Sequence, residues 1–220
     1  MSIPKIKICC ISSVDEAELA IKYGASALGL VSEMPSGPGV INEDLIEEIA
    51  AAVPSTIDTF LLTCKTNGDS IIAQHKKCKT TTLQIVDSIN VDVYDQLRNK
   101  LPSIRLVQVI HISGEESVDE AVAVSGLVDA LLLDSGNQKL EIKELGGTGR
   151  THDWTISRKI RDAVSVPVYL AGGINSKNVL NALKEVEPFG IDLCSGVREN
   201  GKLNEKLLDE FFSVLQNGDL

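Results

Sequence analysis

Two rhythms of apolar and polar positions alternate along the chain. Short runs rich in valine, isoleucine and leucine are each followed by a stretch whose apolar residues recur at helical spacing. The first run, Lys5–Ile11, leads into a helical stretch, Val14–Tyr23, with Ala17, Ala20 and Ile21 on one face and Gly24 as the stop. The second run, Ala27–Val31, precedes a helix over 42–52 that opens on the cap-forming Asn42 and ends before Pro54. Runs three and four, Thr59–Thr63 and Thr81–Val86, carry helices over 69–77 and 91–100. The second half repeats the scheme: Leu106–Ile112 with a helix over 117–124, then Ala130–Asp134 with a long polar loop, Ser135–Asp153, and a helix over 155–164. Val168–Ala171 runs into Gly172-Gly173 and a helix over 176–184; Gly190–Cys194 runs into Ser195-Gly196 and a helix over 204–215.

Eight strand–helix units in series predict a parallel sheet with right-handed crossovers. With no linker or composition break, they predict one α/β domain over residues 1–220, a (β/α)₈ TIM barrel. A doubly wound open sheet is the alternative, but it would place a glycine-rich turn after the first strand, where this chain has Cys9-Cys10. Only the loop Ser135–Asp153 is long enough to be an active-site lid.

Composition narrows the picture. One Trp, three Tyr and four Phe leave the core to aliphatic side chains, which suits strands buried on both faces. The net charge of −10, without a basic run, argues against nucleic acid and anionic membrane surfaces as partners. No apolar run approaches the ~20 residues of a membrane span, and Met1–Lys7 has no signal-peptide core. Five cysteines, an odd number with no C-x-x-C pair, are expected to be reduced thiols in a cytoplasmic protein, without disulfide or zinc. The three histidines show no metal-ligand spacing.

A TIM barrel builds its site at the C-terminal ends of its strands. Gly172, Gly173, Ser195 and Gly196 follow strands seven and eight, where backbone N–H groups hold phosphate in many such barrels; Asn175 could add a side-chain donor. Two ordinary tight turns are the competing explanation. Asp134 emerges from an apolar strand as a general acid or, alternatively, as a loop cap. Cys9 ends the first strand as a base or nucleophile, or as an ordinary buried thiol. Since strand side chains alternate, one of Cys9 and Cys10 should face the barrel interior, taken to be Cys9. Cys64, Cys78 and Cys194 read as bystanders, His111 and His152 as packing or solvent-exposed groups with acid/base chemistry as the alternative, and Trp154 as a packing anchor.

Several segments converge on one family. Lys7-Ile8-Cys9, Gly24-Ala25 with Ala27–Val31, Leu131–Asp134, Gly146-Gly147-Thr148-Gly149, Asp153-Trp154, Leu170-Ala171-Gly172-Gly173 and Ser195-Gly196-Val197 together resemble phosphoribosylanthranilate isomerase over nearly the whole chain. The resemblance implies a cofactor-free Amadori rearrangement of N-(5-phosphoribosyl)anthranilate in tryptophan biosynthesis, with Asp134 protonating the ring oxygen and Cys9 taking the C2 proton. The sequence departs from the family where Pro38 stands at the position of the arginine that clamps the anthranilate carboxylate. It departs again at Val86-Asp87, Cys10, His152 and Arg198. A proline cannot make a bidentate ion pair, so Gln84, His111, Arg150 and Arg198 become substrate-binding candidates. Two other readings stay open: a paralogue that isomerises or binds another phosphorylated sugar-type ligand, and a catalytically silent barrel. A second copy of the chain is a candidate partner through Ala- and Val-rich helix surface.

Overall fold

The computed structural model describes residues 4–136, 140 and 142–218. Eight parallel strands close a barrel in chain order: β1 (Lys5–Ile8), β2 (Ala27–Val31), β3 (Asp58–Thr63), β4 (Thr82–Ile85), β5 (Arg105–His111), β6 (Ala130–Asp134), β7 (Val168–Leu170) and β8 (Gly190–Leu193). The ring shuts where β8 pairs with β1, in the register Lys5↔Gly190 to Ile8↔Leu193. Each strand is followed by a helix: α1 (Val14–Tyr23), α2 (Glu43–Ala52), α3 (Gly68–Cys78), α4 (Val91–Lys100), α5 (Glu116–Ser125), α6 (Trp154–Ala163), α7 (Val179–Val186) and α8 (Glu205–Asn217). Side-chain oxygens of Ser13, Asn42, Asn67 and Asn204 accept backbone N–H bonds at the starts of α1, α2, α3 and α8. Such a cap contributes about 1 kcal/mol over alanine.

Alternation along the strands produces two cores. Ile6 and Ile8, Leu28 and Leu30, Leu131 and Leu133, and Ile191 and Leu193 point outward to the helices. Ala27 and Val31, Phe60 and Leu62, Val107 and Val109, Ala130 and Leu132 point inward and fill the barrel. The inward set places Asp134 on the face of Ala130 and Leu132, two residues further along β6. Trp154 packs against the outer core, as a packing anchor would.

The structure departs from the pattern at three places. Strand β1 stops at Ile8, three residues before its apolar run ends, because Cys10 takes the left-handed conformation, φ 64°, and turns the chain. Helix α7 starts at Val179 rather than 176, since the backbone N–H of Asn175 donates to Asn178 Oδ1 and both amides bond the Gly173 carbonyl. A two-residue hairpin, β9 (Arg198–Glu199) with β10 (Lys202–Leu203), sits between β8 and α8 and is too short to leave an alternating signature. Among the described residues no helix is long and apolar enough to cross a membrane.

Candidate active site

A cavity opens at the C-terminal ends of the strands. Cys9 enters it from the end of β1 and Asp134 from the end of β6, with β7 and β8 standing between them in the ring. Both are buried, at 6% and 8% exposure, so each acts in a largely dry setting. Asp134 Oδ1 accepts a 2.7 Å bond from the Ser135 N–H, and a Cβ on Gly146 would fall 2.7 Å from Oδ2. The glycine-rich loop therefore lies directly on the carboxylate. Pro38 lies on the same loop, since a Cβ on Gly147 would strike its ring. Ser36 Oγ donates to the Lys143 carbonyl at 2.6 Å, and Ser135 and Thr148 hydroxyls meet at 2.6 Å, so the loops after β2 and β6 roof the cavity together. The predicted lid Ser135–Asp153 spans positions 137–139 and 141, which lie outside the described residues.

Beneath Cys9 sits a buried ion pair that the motifs did not reveal. Lys7 is fully buried inside the barrel, its Nζ 2.8 Å from Asp192 Oδ2 on β8 and 5.3 Å from the centre of the Phe60 ring. The Cys9 Sγ and the Lys7 Nζ come within 2.7 and 3.0 Å of one point, the place a Cβ on Gly29 would occupy. Gly29 thus leaves the room in which ammonium and thiol face each other. The Cys10 thiol, by hydrogen bonding, holds the Cys9 thiol below its ordinary pKa; burial opposes this, and the Lys7 ammonium reinforces it. Burial alone would lower the Lys7 pKa, but Asp192 outweighs it and the lysine stays charged.

At the ends of β7 and β8, Gly172, Gly173 and Ser195 line the cavity. Gly173 has φ 63°, and a Cβ there would stand 2.8 Å from the Arg150 carbonyl carbon. The position is closed to side chains by conformation and by close approach of the backbone at 149–151. Among the described residues, the N–H groups of Gly172, Gly173, Ser195 and Gly196 have no hydrogen-bond acceptor. Gly172, Gly173 and Ser195, which opens a single turn of 3₁₀ helix (Ser195–Val197), present their donors to the cavity, whereas Gly196 does not line it.

Other sequence-predicted residues land differently. Gln84 reaches the cavity, and its buried Oε1 has no partner among the described residues. Asn175 does not line the cavity; its amide donates to Gly173 O and accepts from Lys177 N, shaping the loop. Arg198 is corrected from a substrate contact to a structural tie. Its two terminal nitrogens donate to Glu16, to Gly201 O and to the carbonyls of Cys9 and Cys10. His111 bonds the Val86 carbonyl at 2.9 Å beside Gly136, away from the cavity wall. Arg150 points to Glu144 at 2.5 Å on the exposed side of its loop. Among the described residues no lysine, arginine or histidine lines the cavity. Two thiols also move. Cys10 and Cys9 both face the cavity, because the left-handed turn at Cys10 breaks the strand alternation. Cys194, expected as a bystander, lines it too.

The sequence matches the family described as N-(5′-phosphoribosyl)anthranilate (PRA) isomerase over residues 6–214. It is 30% identical to the N-(5′-phosphoribosyl)anthranilate isomerase of Methanocella arvoryzae, covering 96% of this chain and 98% of that one. It is 32% identical to N-(5′-phosphoribosyl)anthranilate isomerase 2 of Methanosarcina mazei, covering 92% and 89%. The solved phosphoribosyl anthranilate isomerase of Thermococcus kodakaraensis superposes with a TM-score of 0.81 at 25% identity, over 98% of this chain and all of that one.

Proposed function

The chain belongs to the N-(5′-phosphoribosyl)anthranilate isomerase family, and from that premise we propose how its cavity performs the reaction. The protein isomerises N-(5-phosphoribosyl)anthranilate to the aminodeoxyribulose phosphate, a step of tryptophan biosynthesis. The observation that carries the residue assignment is that Cys9 and Asp134 share one cavity with Gly172, Gly173 and Ser195, whose backbone N–H groups have no acceptor among the described residues.

The substrate phosphate seats on the N–H groups of Gly172, Gly173 and Ser195, so the −10 charge of the chain is offset locally by oriented dipoles. Anchored there, the ribose lies between the two functional groups. Asp134 gives its proton to the ring oxygen as the C1–O bond breaks, and the anthranilate nitrogen supplies the electron pair that makes the imine. The Cys9 thiolate removes the C2 proton, giving an enolamine that tautomerises to the ketone. Each proton transfer contributes about 10²–10⁴-fold, and phosphate anchoring adds the orientation. The aromatic ring packs on the apolar wall formed by Met34, Pro38, Leu62 and Leu145.

The test is loss of substrate fluorescence with purified protein. Asp134→Asn should lower turnover about 10²–10⁴-fold while thermal stability stays close to wild type; an undiminished rate removes Asp134 from the mechanism. A second reading, a phosphorylated-sugar ligand without a carboxylated ring, rests on Pro38 and on a described cavity wall without a cation. It predicts that sugar phosphates lacking the ring raise Tm as much as carboxylated analogues do. Stabilisation by carboxylated analogues alone sinks it.

A further inference from the structure

The cavity holds two thiols that the reaction does not use as acid or base. Cys10 Sγ and Cys194 Sγ are 2.8 Å apart, closer than two unbonded sulfurs normally rest, on the neighbouring ends of β1 and β8. Closing to the ~2.05 Å of a disulfide asks for less than 1 Å of movement. The backbone holds Cys10 for this approach. Its φ of 64° suits glycine and costs a cysteine about 1–2 kcal/mol. Its surroundings fix it there: Gly39 presses so closely that a Cβ would lie 2.4 Å from the Cys10 Cβ, and Arg198 Nη2 donates to the Cys10 carbonyl at 2.6 Å. A strained residue held from several sides is a site where the strain serves a purpose.

We propose that Cys10 and Cys194 form a dithiol modification site, which a peroxide-class oxidant converts reversibly to a disulfide that switches off the neighbouring isomerase site. The bond itself follows from the thiol geometry; its effect on turnover rests on the assignment of Cys9 and the phosphate donors above. Cys194 is the more accessible of the two, partly exposed where Cys10 is buried. Its thiolate attacks one peroxide oxygen, the O–O bond breaks, and hydroxide leaves to give the sulfenic acid. The Cys10 sulfur then attacks that sulfur, releasing water. In sum, two thiols give up two hydrogens and two electrons, and one peroxide becomes two waters. Reversible pairs of this kind are the form in which disulfides occur in reducing compartments.

The consequence follows from chain neighbours. Cys194 precedes Ser195, whose N–H is one of the anion donors, and Cys10 follows Cys9. Joining their sulfurs pulls the ends of β1 and β8 together and removes the Cys10 S–H that bonds Cys9. A shift of about 1 Å in such groups costs on the order of 10²-fold in rate. Cys64, bonded to the Glu33 carbonyl, and Cys78, buried on α3, serve as internal controls.

The experiment treats the purified full chain with stoichiometric hydrogen peroxide and blocks free thiols with iodoacetamide. Mapped peptides and turnover are read on the same samples, before and after dithiothreitol. The expected result is a Cys10–Cys194 cross-link with loss of two hydrogens, a fall in turnover that tracks it, and recovery with the reductant. Cys194→Ser should show neither the cross-link nor the recoverable loss. The proposal is overturned if Cys10 and Cys194 remain alkylatable while another thiol oxidises, or if fully cross-linked protein turns over undiminished. Absent isomerase turnover in the reduced protein would refute the function instead, and the peptide map would still decide the disulfide.

Discussion

Replacing Lys7 by methionine tests the electrostatic core of the site. The substitution keeps the length of the side chain and removes the ammonium between Cys9 and Asp192. Two effects separate. Asp192, at 8% exposure, is left as a buried carboxylate without its partner. Breaking such a pair from one side costs about 3–5 kcal/mol, which in a chain of this size lowers Tm by roughly 10 °C. The second effect falls on Cys9. The ammonium and the sulfur lie 3.0 and 2.7 Å from the point a Gly29 Cβ would occupy, and a unit charge that close, at an effective dielectric of about 20, contributes about 3 kcal/mol. Asp192 cancels part of this in the wild type, so losing the lysine should raise the pKa of the Cys9 thiol, which the ammonium helps to hold below its ordinary value. A base with a depressed pKa keeps the enzyme active until the pH falls through that value; raising the pKa moves the acidic limb of kcat/KM upward. The assay is the pH dependence of kcat/KM, paired with the alkylation rate of Cys9 against pH. Lys7→Met combined with Asp192→Asn should recover stability without restoring the limb, which separates folding from chemistry. A folded Lys7→Met protein with an unmoved acidic limb would refute the claim that the ammonium sets the thiol.

Three further outcomes can be checked. Gly173→Ala forces a side chain into φ 63° and against the Arg150 backbone; it should cost at least ~1–2 kcal/mol in urea unfolding and raise KM for the phosphorylated substrate, whereas unaltered KM removes that amide from phosphate binding. Arg198→Met leaves Glu16 without its buried partner and should lower stability by about 3 kcal/mol; a change confined to KM would return the guanidinium to the substrate. His152 bonds Ser157 Oγ at 2.7 Å, and burial holds its pKa below the ordinary histidine value. The unfolded chain then binds the proton more readily, so stability is lost as pH falls from the unfolded value toward the folded one. His152→Gln should flatten that slope in pH-dependent unfolding, and an equal slope in wild type and variant would show that the ring does not titrate on unfolding.

Much of the site was legible in the residues. Asp134 closes an apolar strand, and the alternation from Ala130 and Leu132 aims it inward. The Gly172-Gly173 and Ser195-Gly196 pairs fall after strands seven and eight, and Gly172, Gly173 and Ser195 line the cavity there. Lys7 was half legible: it shares the inward face of Cys9, and a lysine in that apolar run requires a buried partner, but nothing local says which carboxylate supplies it. Other features carried no local signal. Nothing in the identity of Arg198 says that its terminal nitrogens are taken up by Glu16 and three backbone carbonyls. The strand alternation that predicts Cys9 inward and Cys10 outward fails because Cys10 lies beyond the last hydrogen-bonded residue of β1, in a left-handed turn held by Gly39 and Arg198.

By itself the sequence determined the periodicities, and through them eight strand–helix units, the inward face of each strand and the ends at which chemistry gathers. Those follow from local geometry, since side chains repeat every two residues in a strand and every 3.6 in a helix. Closure of the ring decided the rest. It brought β8 beside β1, and so Asp192 to Lys7 and Cys194 to Cys10, pairs separated by most of the chain. Contacts of that kind depend on strand register and on which loop packs over which, and short-range pattern holds no record of either.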